Sequence, residues 1–219
     1  MQLHAVVVPP AANALAALEA AQELAPPPVV VDEPKPGLLD RLRGRREPEP
    51  VEEAPVVTLV PEPPEAVRVR LAKFGNVTTN DAGALAAALE AEAGAWRVPV
   101  VYVAALAVGA EHPFEVTARL EGDVDSLRDL YRNVNEVAQS ERFFLDRRGF
   151  RSEMVLGTLR VDDGSPPPLA GVEVPFRGAY WSPSHVSLLR ASYGAGGTTF
   201  AEYARIDLAD GAEEPVALG

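Results

Sequence analysis

Arg68 and Arg70, in the stretch VRVRLAKFGNV (67–77), are the first residues whose type and spacing suggest chemistry. The stretch alternates as a strand does, and residues two apart on a strand share a face. Two guanidinium groups side by side repel unless they meet an anion or a carboxylate, and their planar forks suit either one. Other reactive groups are few. The chain has no Cys, which excludes disulfides, thiolate catalysis and thiolate metal sites. Its three histidines, His4, His112 and His185, lack helix or hairpin ligand spacing, so no metal site is expected. His185 follows WSPS without a recognisable triad around it. YGAGGTTF (193–200) has the glycines of a phosphate-cradling loop but neither its Lys nor its helix start, and reads as a hairpin turn.

Bulk composition narrows the function classes. The 219 residues carry a net charge of −12, which argues against binding long nucleic acids, because phosphate neutralisation needs a cationic footprint. A local basic pocket for one phosphate is compatible with that charge. RFFLDRRGFR (142–151) mixes basic and aromatic residues and reads as the loop leading into the strand that follows. MQLHAVVVPP lacks the basic start and long apolar run of a secretory signal. No stretch reaches the roughly 18 apolar residues of a membrane span. A cytoplasmic protein without membrane contact is expected, and the Arg-rich, Lys-poor composition suggests a bacterial source.

The elements that must position the arginines follow from the same pattern. LHAVVV (3–8) reads as a strand stopped by Pro9-Pro10, and residues 11–25 as an Ala-rich helix. Residues 26–65 hold more than half of the 21 prolines with mixed charge, which predicts a disordered linker inserted into the domain. Inside it, Leu38–Arg46 can form a short amphipathic helix, either a solvated charge cluster or a docking peptide for a protein partner. Beyond the linker come a strand at 67–74, a helix capped near Thr79 or Asn80 and stopped at Gly94, and strands at 98–108 and 114–120. A third helix starts near Asp123 or Asp125. A strand at 152–161 and a terminal hairpin complete the domain, and residues 211–219 read as a flexible tail. This order predicts an α+β fold of two similar halves.

The order and its local phrases resemble the 2'-5' RNA ligase-like branch of the two-histidine (2H) phosphoesterase superfamily. LHAVVVPP with its helix, then the strand, FGNV, TTND and a helix, and later FRSEMVLGTLR and AEYARIDL, carry the resemblance over 1–25 and about 66–208. It implies a two-lobed, pseudo-symmetric fold, with antiparallel sheets around a central cleft and helices outside. Members of that family place one H-x-[T/S] motif in each lobe. One His is the general base and the other the general acid in opening a 2',3'-cyclic phosphate. The first motif falls on RVRLAKFG, with Arg68 at the His position and Arg70 at the hydroxyl position. The second falls on EMVLGT, with Glu153 and Val155 at the corresponding positions.

Both histidines are therefore replaced. Arginine cannot cycle a proton near neutral pH and valine offers no hydrogen bond. The resemblance thus implies a catalytically inactive protein without a cofactor, acting as a binding or interaction module. The alternatives are a divergent phosphodiesterase on 2',3'-cyclic phosphate or 2'-5' linked RNA, and a nucleotide sensor that does not hydrolyse its ligand. If the cleft persists, Arg68 and Glu153 face one another as an ion pair, or Arg68 and Arg70 clamp the phosphate of a small nucleotide or another anion.

Overall fold

The computed structural model describes residues 1–25, 55–145, 149–194 and 197–208. In chain order its elements are β1 (Gln2–Val7), α1 (Ala11–Gln22), β2 (Val57–Pro61), a 3-10 turn (Pro64–Ala66), β3 (Val69–Asn76) and α2 (Thr79–Ala93). They continue with β4 (Val101–Val108), β5 (Phe114–Gly122), α3 (Val124–Ser140), β6 (Glu153–Val161), β7 (Glu173–Pro175), β8 (His185–Gly194) and β9 (Gly197–Asp207). The strands form one antiparallel sheet in the order β7-β4-β5-β6-β3-β1-β8-β9, with β2 also paired to β6.

That sheet is two lobes joined at a narrow waist. Strands β3, β1, β8 and β9 make the first lobe, and β7, β4, β5 and β6 the second; β3 and β6 pair at Val69↔Met154. The helices tie the lobes together by crossing over. Helix α1 follows β1 of the first lobe yet packs on β2, β6 and the 3-10 turn, while α3 follows β5 of the second and packs on β3. The Asn13 amide on α1 donates to the Ala179 carbonyl at 2.8 Å. On α3, Leu127, Leu130, Val134 and Ala138 recur at three- and four-residue spacing and are all buried. They join Leu3, Ala5, Leu71, Leu85, Met154 and Leu156 in one continuous core spanning both lobes.

Two devices satisfy the backbone where the strands part. The β1–β3 register shifts between Ala5 and Val6, so that Leu71 bulges. The buried Asn135 amide of α3 donates to the Leu71 carbonyl at 3.2 Å. On the other side, β2 pairs with β6 from Val57↔Val161 to Pro61↔Gly157, taking up the edge that β3 leaves. A Cβ on Gly157 would sit 2.4 Å from the Val60 carbonyl oxygen and 2.9 Å from Pro61 Cα, so this approach requires glycine.

The linker expectation fails for its last residues. Residues 57–61 form a strand and 64–66 a turn, because Val57 and Leu59 pack against the core and β6 offers an unpaired edge. Residues 26–54, including the Leu38–Arg46 segment, and the 209–219 tail lie outside the described residues. The α2 cap is Thr78, one or two residues before the expected Thr79 or Asn80, in a capping box with Asp81. The expected antiparallel sheets are continuous through Val69↔Met154.

Gly157→Ala should lower unfolding stability by about 1–3 kcal/mol through overpacking against β2. Gly94→Ala should not, since Gly94 has helical backbone angles and nothing within 4 Å of its Cβ position. Urea midpoints of the two variants against the parent test the comparison.

Candidate anion-binding site

The waist sets the geometry of the site. An antiparallel register centred on Val69↔Met154 puts Arg70 across from Glu153 and Arg68 across from Val155. The tripeptides Arg68–Val69–Arg70 and Glu153–Met154–Val155 are thus related by a local two-fold at the centre of the sheet. Val69 and Met154 point into the core, and their flanking residues emerge on the opposite, open face.

Arg68 does not pair with Glu153. Its guanidinium lies over the ring of Phe200 on β9, with Cζ 3.6 Å from the ring centroid. Its Nη1 is buried and has no hydrogen-bond partner. Glu153 is held instead by Arg151, Nη1 to Oε1 at 3.2 Å. The expected ion pair fails because the register offsets the two side chains and each has a nearer neighbour, an aromatic face for one and a cation two residues earlier in the chain for the other.

His4 completes the cluster. It sits on β1 opposite Lys73 of β3, and its ring meets Phe200 edge to face, centroids 5.5 Å apart. Its Nε2 is buried without a partner, like Arg68 Nη1. Burial, and then the cations Arg68, Lys73 and Arg70, lower its pKa from 6.5 to about 4. Burial also lowers the Arg68 pKa; Glu62 opposes that and Arg70 adds to it. The Glu62 backbone N–H donates to the Leu156 carbonyl at 2.8 Å. Arg70 makes no ion pair among the described residues.

Two buried nitrogens without partners, on cationic or proton-accepting groups around one aromatic ring, are costly unless a ligand satisfies them. Arg68 Nη1 can donate to an oxyanion, and neutral His4 can do so only as its Nε2–H tautomer. Sequence reasoning singled out Arg68 and Arg70, and noted His4 only as one of three histidines without ligand spacing. It missed Phe200 and Lys73. Phe200 lies three strands from Arg68 in the sheet and carries no local signal linking them.

The second histidine cluster is inert. His185 Nδ1 lies 2.9 Å from Ser184 Oγ and its Nε2 3.3 Å from Arg205 Nη2. Arginine only donates, so Nε2 accepts and the neutral ring's hydrogen is on Nδ1, donated to the Ser184 oxygen. The ring therefore cannot take a proton from Ser184. Burial, and then Arg205, lower the His185 pKa. Among the described residues no group of three or more His, Cys, Asp or Glu could hold a metal ion, and no helix is long and apolar enough to cross a membrane.

No protein-family model matches this sequence, and no curated protein matches it. Solved structures do. TT0787 of Thermus thermophilus superposes with a TM-score of 0.63 at 17% identity, covering 95% of this chain and 98% of that one. Escherichia coli LigT complexed with 3'-AMP gives 0.62 at 15%, covering 94% and 97%. The same protein complexed with NADP+ gives 0.61 at 16%, covering 94% and 96%.

The unfolded chain protonates His4 near pH 6.5 and the folded chain near pH 4, so protons favour unfolding in between. The His4 contribution to stability is fully present above pH 6.5 and is lost as pH falls toward 4. Urea unfolding at pH 7 and pH 4.5 should show a drop in midpoint that His4→Gln reduces.

Proposed function

We propose that this chain, which has the LigT fold, is a catalytically inactive binding module whose cleft holds a phosphate-bearing small nucleotide without hydrolysing it. The observation that carries the proposal is the buried, partnerless Nη1 of Arg68 beside the buried, partnerless Nε2 of His4, with Arg70 and Lys73 adjoining. A salt bridge that merely closed the cleft would have satisfied Arg68; an open valence on a buried cation supports an anionic ligand. The complexes of LigT with 3'-AMP and NADP+ are consistent with a nucleotide in this fold.

Inactivity rests on the proton inventory. Opening a cyclic phosphate needs a base on one side of phosphorus and an acid on the other, each contributing about 10²–10⁴-fold. Arg68 and Arg70 remain protonated and Val155 is inert. Glu153 is engaged by Arg151. His4 and Glu153 could each accept a proton, which is the observation favouring residual phosphodiesterase activity, but His4, at a pKa of about 4, is a weak base and neither faces an acid.

An RNA oligonucleotide ending in a 2',3'-cyclic phosphate should remain intact with the protein, at the rate seen with Arg68→Ala. Adenosine monophosphate should raise the melting temperature of the parent. Saturation at 100 times Kd corresponds to about 2.7 kcal/mol, and Arg68→Ala should abolish the shift. Turnover that is lost on His4→Gln would reverse the reading.

A further inference from the structure

Strands β7, β2 and β9 each pair with a single strand among the described residues, and their edges differ. β7 is three residues long and ends in Pro175, and β2 is five residues long and ends in Pro61. Short length and proline both keep a sheet edge from pairing with another chain. β9 has neither protection. It runs for 11 residues, Gly197–Asp207, and contains no Pro and no Lys. Helix α2 packs on β9, and the Tyr203 hydroxyl donates to the Thr79 carbonyl at 3.2 Å, so the strand is held in place.

A bulge decides which β9 side chains share a face. Leu188 is opposite Ala204 and Leu189 opposite Glu202, so Tyr203 is the extra residue. Arg205 is opposite Ser187, which lies two residues from Leu189 and so on the same face. Glu202 and Arg205, three apart in the chain, therefore both stand on the open face beside the bulge. Their present contacts agree: Ser187 Oγ donates to Glu202 at 3.0 Å, and Arg205 Nη2 lies 3.3 Å from His185 Nε2. Both side chains are exposed, and neither makes an ion pair among the described residues.

We propose that β9 is a homodimerisation edge: a second copy of this chain adds its own β9 antiparallel along it, about a two-fold axis through the Tyr203 bulge. Glu202 then lies opposite the partner's Arg205, and Arg205 opposite the partner's Glu202. The self-complementary charge fixes both the occupant and the register. A two-fold centred on Glu202 or on Arg205 would set like charges directly opposite, which destabilises a strand pair. The bulge-centred register also matches Ala201 with the partner's Ile206 and Phe200 with the partner's Asp207, each pair on one face of the sheet. Main-chain hydrogen bonds outward from the bulge supply the affinity, and the two ion pairs the specificity. One strand per copy makes a small interface, so association depends on concentration and weakens with salt. The dimer is independent of an anion in the cleft.

Sedimentation velocity of the full chain over a concentration series tests this. The parent should pass from monomer to dimer as concentration rises. Glu202→Arg and Arg205→Glu, each alone, set like charges opposite one another and should move the midpoint about tenfold or more to higher concentration. An equimolar mixture of the two variants restores opposite charges at both positions, and should dimerise at the parent's midpoint. That recovery separates the pairing from damage to the fold. A parent that stays monomeric throughout the series overturns the dimer. Dimerisation that both single variants retain overturns the β9 interface. Loss in the single variants that their mixture does not repair overturns the pairing of Glu202 with Arg205.

Discussion

The structure depends on the meeting of β3 and β6 at Val69↔Met154. Two sheet halves twist apart on either side of that pair, and every backbone group they expose has to be satisfied elsewhere. Asn135 meets the Leu71 carbonyl on one side, and β2 takes the vacated edge of β6 on the other. The helix exchange follows from the same constraint. With so little backbone pairing at the waist, the lobes are held by α1 packing on β6 and α3 on β3, so that neither has a core of its own. The waist also brings residues 68, 70, 153 and 155 to the centre of the molecule, where side chains from both halves meet.

The electrostatics of the site run against those of the chain. A net charge of −12 surrounds a patch where burial, and then the cations Arg68, Lys73 and Arg70, lower the His4 pKa to about 4. The Phe200 ring face offsets part of the cost of half-burying Arg68, an interaction of about 2 kcal/mol when desolvated. It leaves Nη1 directed at nothing. Cations kept together inside an acidic protein recruit an anion locally while the remaining surface repels extended polyanions.

Legibility in the sequence was uneven, for physical reasons. The helices and long strands announced themselves: Pro9-Pro10 ends β1, Asp123 caps α3, and β8 pairs with β9 out to Gly194↔Gly197. Strand β2 did not. VTLVP sits among prolines and becomes a strand only because β6 has a free edge and Gly157 admits its backbone. The short β7 likewise exists by pairing with β4. In the site, the positions of Arg68, Arg70, Glu153 and Val155 could be read from motif order, whereas their pairing could not.

What the sequence by itself determined is the inventory: two arginines, a glutamate and a valine on the two waist tripeptides, with no Cys and few His in the chain. Residue type sets which groups can move a proton, and no fold can restore a titration that the side chains lack. Only the tertiary structure decided the partners. A one-pair antiparallel register puts Arg70 rather than Arg68 across from Glu153, Arg151 claims that carboxylate from two residues away, and Phe200 arrives from a strand more than 120 residues later in the chain. Contacts of that separation are set by register and packing, which local pattern does not encode.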